Sequence, residues 1–545
     1  MVCEPVKGVR TPSTSRTCDE IIESVDSRAT SRIVWQSAPR NCACHLESGR
    51  GVWVVSYRRG MAWDPDAELP IKLGPCSNGE FAPVPLGPVE REAIRRTRAE
   101  AETVSRRLGV DRRRFLRSLG GAALMLGTLA ACQDEARKAR GRRSGGTYSI
   151  PKDATTVPER ARDALGGDEI IFDVQTHYLD YDLSGPGTGI AGIDGLVNSF
   201  PQGRCGEADA RACFSVEQYL DLAFNQSDTS LMILTAIPIP EPVNPLNVDA
   251  MEAARRLAER VCGDGRVLLH GGVQPTFGPA GAQLDGMAAL RRDHGIVGWK
   301  VYTHAPGDGW WLDDHDAGAP RVGEAFLARV EAVGPKIVCV HKGFSGGSEY
   351  ASPVDVGPAA RAHPDIRFVV YHSGFEAGIA EGPYSESGRG VDRFVKSLRG
   401  AGLSPGENVY AELGSTWWNV MRDPTAAAHV LGKLLVAVGP DRVLWGTDSL
   451  WYGSPQDQIQ AFRAFEISTE LQERYGYPAL TRELKRKILG ENALALYEVA
   501  APSGRCAFDR DELAKIRETN GVALRTYGPE TDRELRALLA SHSVV

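Results

Sequence analysis

From residue 166 onward the chain alternates short apolar, β-rich runs with longer amphipathic stretches. The runs are EIIFDVQTH, SLMILTAIP, RVLLHGGVQP, GIVGWKVYTH, KIVCVHKG, IRFVVYHSG, NVYAELGS and RVLWGTDS. Between them, VDAMEAARRLAERV, VGEAFLARVEAVG and TAAAHVLGKLLVAVG repeat apolar residues at helical spacing. Eight strand and helix alternations predict a parallel sheet with crossover helices, and eight such units predict a (β/α)8 TIM barrel over residues 166–500. No GxGxxG follows the first run, so an open dinucleotide-binding sheet has little support.

Each run ends in polar residues: His177, His304, His341, His372, Glu412 and Asp448 among them. Barrel active sites are assembled at the C-terminal ends of several strands, so this recurrence predicts one shared site. On the fourth run Lys300, Tyr302 and His304 share a face, while Trp299, Val301 and Thr303 share the other. The polar set points into the barrel, with Lys300 deepest. A buried lysine needs a partner. Tryptophans follow the fourth, seventh and eighth runs, and Trp417 and Trp451 suit an apolar, flat-walled substrate pocket; packing of loop on loop is the alternative.

The region before the barrel reads differently. Residues 1–107 show no sustained periodicity and are expected to be disordered or mis-assigned upstream sequence. Residues 108–131 carry a twin arginine, Arg112 and Arg113, then a short apolar run ending in LAAC at Cys132. That layout resembles a bacterial twin-arginine signal with a lipoprotein lipobox. The resemblance implies folded export, cleavage before Cys132, lipidation of that cysteine and anchoring on the outer side of the cytoplasmic membrane. A translation start at Val104 or Val110 would put the signal at the N-terminus. Residues 132–165 are polar and read as a flexible tether; residues 501–545 contain two helix-like stretches forming a C-terminal extension.

Composition narrows the class. Over 545 residues, 42% hydrophobic and 24% charged residues with a net charge of −7 describe a globular protein with no basic stripe for nucleic acid. The eleven cysteines include no CxxC pair. Cys205 and Cys213 are placed to pair in an oxidising compartment, although spacing alone does not decide a disulfide.

In order and spacing, DVQTH, GWKVYTH, VCVHKG, VVYHSG, VLWGTD and the closing KRKILGENALALY resemble the amidohydrolase superfamily, in its amidohydrolase-2 branch of metal-dependent hydrolases and decarboxylases. The resemblance implies that His177 and His341 are metal ligands and that Asp448 binds metal or its water. It implies that His372 is a catalytic acid/base or oxyanion stabiliser, with one divalent ion, zinc or else manganese, as cofactor. Gln175 stands where the family places the first histidine of His-x-His, and an amide oxygen is a weaker donor for a transition metal. Lys300, His304, Glu412, Trp417 and Trp451 are candidate substrate contacts. The expected reaction is hydrolysis of an amide, ester or lactone of a small molecule. Non-oxidative decarboxylation, a metal-free lactonase and a non-catalytic binding lipoprotein are the competing readings. A homo-oligomer is compatible with the sequence.

Overall fold

The computed structural model describes residues 69–509 apart from short internal stretches, the longest being 181–199, together with three strand segments upstream. Those segments, Arg32–Ala38, Asn41–Ser48 and Gly51–Arg58, form an antiparallel sheet. They belong to a unit separate from residues 65–528, which carry everything that follows.

The eight predicted strands are all present: β1 Phe172–Thr176, β2 Leu231–Leu234, β3 Val267–Val273, β4 Gly298–Tyr302, β5 Ile337–His341, β6 Arg367–Tyr371, β7 Val409–Glu412 and β8 Val443–Leu444. They pair in chain order and in parallel. The seam between β8 and β1 is closed by backbone bonds, from Val174 N to Trp445 O at 3.1 Å and from Asp448 N to Gln175 O at 3.0 Å. Residues Thr176 and Ser449 are bridged there as well. The fold is therefore a TIM barrel. Helices such as Val248–Cys262, Val322–Val333 and Pro424–Val438 connect successive strands, as their apolar periodicity requires.

The alternation expected on β4 is observed. Trp299 and Val301 pack outward in the main helix-facing core. Inside the barrel a second apolar cluster joins Phe172, Val174, Ile233, Cys339, Tyr371 and Tyr497. Tyr497 reaches it from the closing helix Asn492–Tyr497, and its hydroxyl lies 3.1 Å from His270 Nε2. This plug makes the barrel floor a packed core rather than a pore, so only the opposite rim is open to chemistry.

Upstream of the barrel the structure departs from the expectation. Pro88–Leu108 is a helix, α1, and Leu119–Lys138 another, α2. The face that α1 buries consists of Ala93, Ile94, Thr97, Ala101 and Ser105. Its spacing is helical, but most of its residues are small or hydroxylated, so a hydrophobic-period search passes over it. The apolar run ending at Cys132 forms most of α2 and is buried within the protein. No helix among the described residues is long and apolar enough to cross a membrane. Cys132 is itself buried in this fold. In place of a tether, residues 132–165 continue α2, add strand Gly146–Tyr148 against Phe465–Ile467, and end in helix Pro158–Leu165. Gln133 Nε2 donates to Arg422 O at 2.9 Å, and Arg137 pairs with Asp423 at 3.1 Å, tying α2 to the barrel. The helix-like stretches beyond residue 509 lie outside the described residues.

Cys205 and Cys213 are bonded, with Cα atoms 5.7 Å apart. A second disulfide, Cys262–Cys506, closes a separation of 244 residues. Because a cross-link of that length restricts the unfolded chain strongly, C262S/C506S is expected to lose about 2–4 kcal/mol of stability. Denaturant unfolding should show the loss under oxidising conditions, and excess reductant applied to both proteins should abolish the difference between them.

Candidate metal centre and active site

The four polar strand ends of the first, fifth, sixth and eighth strands meet on one rim. His177 follows β1, His341 ends β5, His372 follows β6 and Asp448 lies just after β8. Ladder register places Tyr371 beside His341 and Thr176 beside Ser449, so neighbouring strands deliver these residues to one height. Several non-glycine residues of the rim have positive φ, among them His372 at 64°, Ser373 at 51°, Ser415 at 54° and Asp448 at 59°. Each such residue costs about 1–3 kcal/mol and persists only where its surroundings over-determine it. Here the restraints are visible. His372 N donates to Glu412 Oε2 at 3.0 Å, and Asp448 N is held by Gln175 O.

Two imidazoles are oriented by backbone carbonyls. His177 Nδ1 lies 2.8 Å from Thr235 O, and His372 Nδ1 lies 2.7 Å from Gly414 O. A carbonyl can only accept, so each Nδ1 carries the proton and each Nε2 turns a lone pair towards the site. Burial pushes the His372 imidazole below its ordinary pKa, with Asp448 opposing, and keeps the His341 imidazole well below it. The His341 ring stacks on Tyr302 at 4.9 Å and meets the His372 ring at 4.5 Å.

Asp448 is the centre of the arrangement. Its Oδ1 accepts from Gln175 Nε2 at 3.0 Å and from Trp451 Nε1 at 3.2 Å, and its Oδ2 from Asn78 Nδ2 at 2.9 Å and Ser415 Oγ at 2.6 Å. Burial works to raise this carboxyl, but the polar groups around it, the Ser415 hydroxyl among them, outweigh burial and hold its pKa below the ordinary value. His177 Nε2 stands 3.2 Å from Oδ1. With Nδ1 committed to Thr235, that contact sets a lone pair against a carboxylate. A proton or a cation between them is needed to make it attractive. A divalent ion fits this donor set of imidazole nitrogens and a carboxylate. The buried Gln175 Oε1 has no hydrogen-bond partner among the described residues.

The remaining candidates separate. Trp451 belongs to the site, stacked on His177 at 5.5 Å. His304 flanks it, its ring 5.0 Å from His341, with burial pulling its pKa down to about 4. Lys300 is buried over the Tyr371 and Tyr302 rings, 3.8 and 4.4 Å from their centres. Its Nζ has no hydrogen-bond partner among the described residues, and burial lowers its pKa to about 8. Glu412 is a correction: it is fully buried and braces the backbone of His372 and Gly414 instead of facing substrate. Trp417 is another. It packs on Phe462 and Phe465 and donates to Gln458 O at 2.9 Å, because the turn after Ser415 starts a helix and rotates it away from the rim.

Two residues enter the site that strand-end reasoning could not find, Asn78 and Glu80. Glu80 Oε1 lies 2.9 Å from His341 Nε2. Glu80, His341 and His372 bring ligand atoms within 4.8 Å of one another. The local signal, SNGEF, is an ordinary polar turn, and only tertiary contact gives it meaning.

Residues 248–499 match the amidohydrolase family model. The match begins in the helix after β2 and ends at the closing helix, so it covers His341, His372 and Asp448 but not the β1 residues. No curated protein matches the chain. Solved structures similar to it include a provisionally named 2-pyrone-4,6-dicarboxylic acid hydrolase from Pseudomonas putida, at 16% identity and TM-score 0.37 over 61% of this chain and 98% of that one. A 2,6-dihydroxybenzoate decarboxylase from Rhizobium is 15% identical, with TM-score 0.35 over 61% and 98%. A dihydroxybenzoic acid decarboxylase from Polaromonas with bound manganese and 2-nitroresorcinol is 14% identical, with TM-score 0.35 over 61% and 97%.

The Glu412 brace generates a test. Burial raises its pKa to about 8 from 4.5, so the folded chain binds its proton more tightly than the unfolded chain does. Stability from this group is then fully present below pH 4.5 and declines as pH rises towards about 8. In E412Q, thermal unfolding of chelator-treated protein should lack that decline. One of two backbone N–H groups loses its acceptor, costing about 1–3 kcal/mol at acidic pH.

Proposed function

We propose that this chain is a metal-dependent enzyme of the amidohydrolase superfamily that hydrolyses an amide, ester or lactone bond of a small molecule. One observation carries the reading. His177 and His372, their Nδ1 atoms committed to carbonyls, aim Nε2 at a site shared with an ionised Asp448. The family match over residues 248–499 supports it. His177, His341 and Asp448 would hold the ion, with Gln175 at its edge.

A bound divalent ion would supply Lewis acidity and acidify its water towards a pKa of about 7. Asp448, held ionised, is placed to accept a proton from an attacking water. His372, with its proton on Nδ1, keeps Nε2 facing the site and can take or return a proton there. The Trp451 ring, stacked on His177, walls the site against bulk water on that side.

Decarboxylation of an aromatic or unsaturated acid is the second reading, favoured by Lys300. A decarboxylase needs a cation for the substrate carboxylate, and this buried ammonium lacks any hydrogen-bond acceptor among the described residues. Lys300 sits two residues before the end of β4, below the strand-end histidines, so hydrolysis stays first. The two disulfides support an oxidising compartment as the place of work.

Protein purified without chelators is expected to carry about one equivalent of zinc or manganese. Metal well below that amount by mass spectrometry sinks the reading. H372Q and D448N should each lower turnover by roughly 10²–10⁴-fold. Carbon dioxide release from hydroxybenzoates, without turnover of any amide, ester or lactone, would move the assignment to the second reading.

A further inference from the structure

The segment that precedes α1 is built into the barrel mouth. Ile71 and Leu73 are fully buried. Lys72 N donates to Asp457 Oδ2 and Lys72 Nζ to Ser454 O, each at 3.0 Å. Phe81 stacks on Phe344, the residue three after His341, at 5.0 Å. Between these anchors lies a tight turn. Ser77 Oγ donates to Phe81 O at 2.6 Å, Gly79 N to Ser77 Oγ at 2.9 Å and Glu80 N to Asn78 Oδ1 at 3.1 Å. Gly79, at φ 91°, occupies a conformation that side-chain-bearing residues avoid. The turn aims two side chains inward, Asn78 at Asp448 and Glu80 at His341.

Only one oxygen of Glu80 is used. Oε2 is buried without a hydrogen-bond partner among the described residues, although the side chain as a whole keeps 24% exposure. A buried carboxylate oxygen without a partner is costly, and beside two imidazoles a divalent cation would satisfy it. The three residues place their ligand atoms within 4.8 Å of one another. Gln175, whose Nε2 lies 3.4 Å from His372 Nε2, offers only an amide, a weaker donor for a transition metal than an imidazole or a carboxylate.

We propose that Glu80 is a metal ligand delivered from outside the barrel, making up for the donor that β1 lacks at Gln175. This rests on the metal-dependent reading above. It follows that the centre is complete only in a chain retaining residues 69–84, and that cleavage before Cys132 would remove one ligand together with Asn78.

The test uses the full chain, stripped of metal and titrated with Zn²⁺ by calorimetry, with Co²⁺ absorption as a report on the ligand set. E80Q should weaken Zn²⁺ binding at least about tenfold and alter the Co²⁺ bands, and E80H, which restores a donor atom, should recover much of the affinity. Zn²⁺ loading of the parent chain should also slow amide exchange at residues 77–81, a readout that stands even if E80Q folds poorly. E80Q binding both metals as the parent does, while H177Q loses them, overturns the role of Glu80 and leaves the metal reading standing. A parent chain that takes up no metal defeats both. Faster turnover in E80Q at unchanged metal affinity would make the turn an inhibitory plug and overturn the proposal. So would a native protein whose N-terminal residue is Cys132.

Discussion

The buried charge of Asp448 is the constraint to which the rest of the rim answers. A carboxylate removed from water is tolerable only when donors surround it. Three arrive from elsewhere in the chain, Gln175 on β1, Ser415 after β7 and Asn78 from far upstream, and a fourth, Trp451, from the same loop after β8. Barrel closure depends on the same neighbourhood, since the backbone of Asp448 bonds to Gln175 across the seam between β8 and β1. The residue that gives the site its charge thus also helps to shut the barrel.

Around it the rim is strained and braced at once. Left-handed backbones at His372, Ser415 and Asp448 are the means by which strand ends turn sharply enough to aim side chains at one point. Glu412 fixes the turn at His372 from below, and the glycines beside it are required. A Cβ at Gly446 would fall 1.7 Å from Glu412 Oε1, and one at Gly414 would fall 2.1 Å from Gln175 Oε1. Rigid support beneath the reacting groups is what lets imidazoles present a lone pair without reorganisation.

Legibility in the sequence followed the length scale of the interaction. The barrel was readable because strand and helix periods are local properties, and the strand-end histidines because the C-terminal rim follows from the topology. A strand-end position does not say whether Glu412 faces substrate or backbone, and its bonds from His372 N and Gly414 N make it a brace. Trp417 leaves the rim on the short helix that starts after Ser415. The small-residue stripe of α1 escaped because Ala, Thr and Ser pack closely without a hydrophobic signal. The apolar run at Cys132 matches an export signal in composition, yet in the intact chain it satisfies the ordinary demand of burying an apolar helix against α1. Cleavage and an Asn78–Glu80 contribution to the site exclude one another in the same mature molecule.

By itself the sequence determined the eight-fold strand and helix alternation and the placing of His177, His341, His372 and Asp448 at the strand ends of one rim. These follow from backbone periodicity and from side-chain chemistry, both of which are written locally. Tertiary structure alone decided which nitrogen each histidine presents, which carboxylate braces and which carries charge, and that Asn78 and Glu80 belong to the site. Those outcomes depend on contacts between residues from about 40 to 370 positions apart, where geometry rather than composition selects the partner.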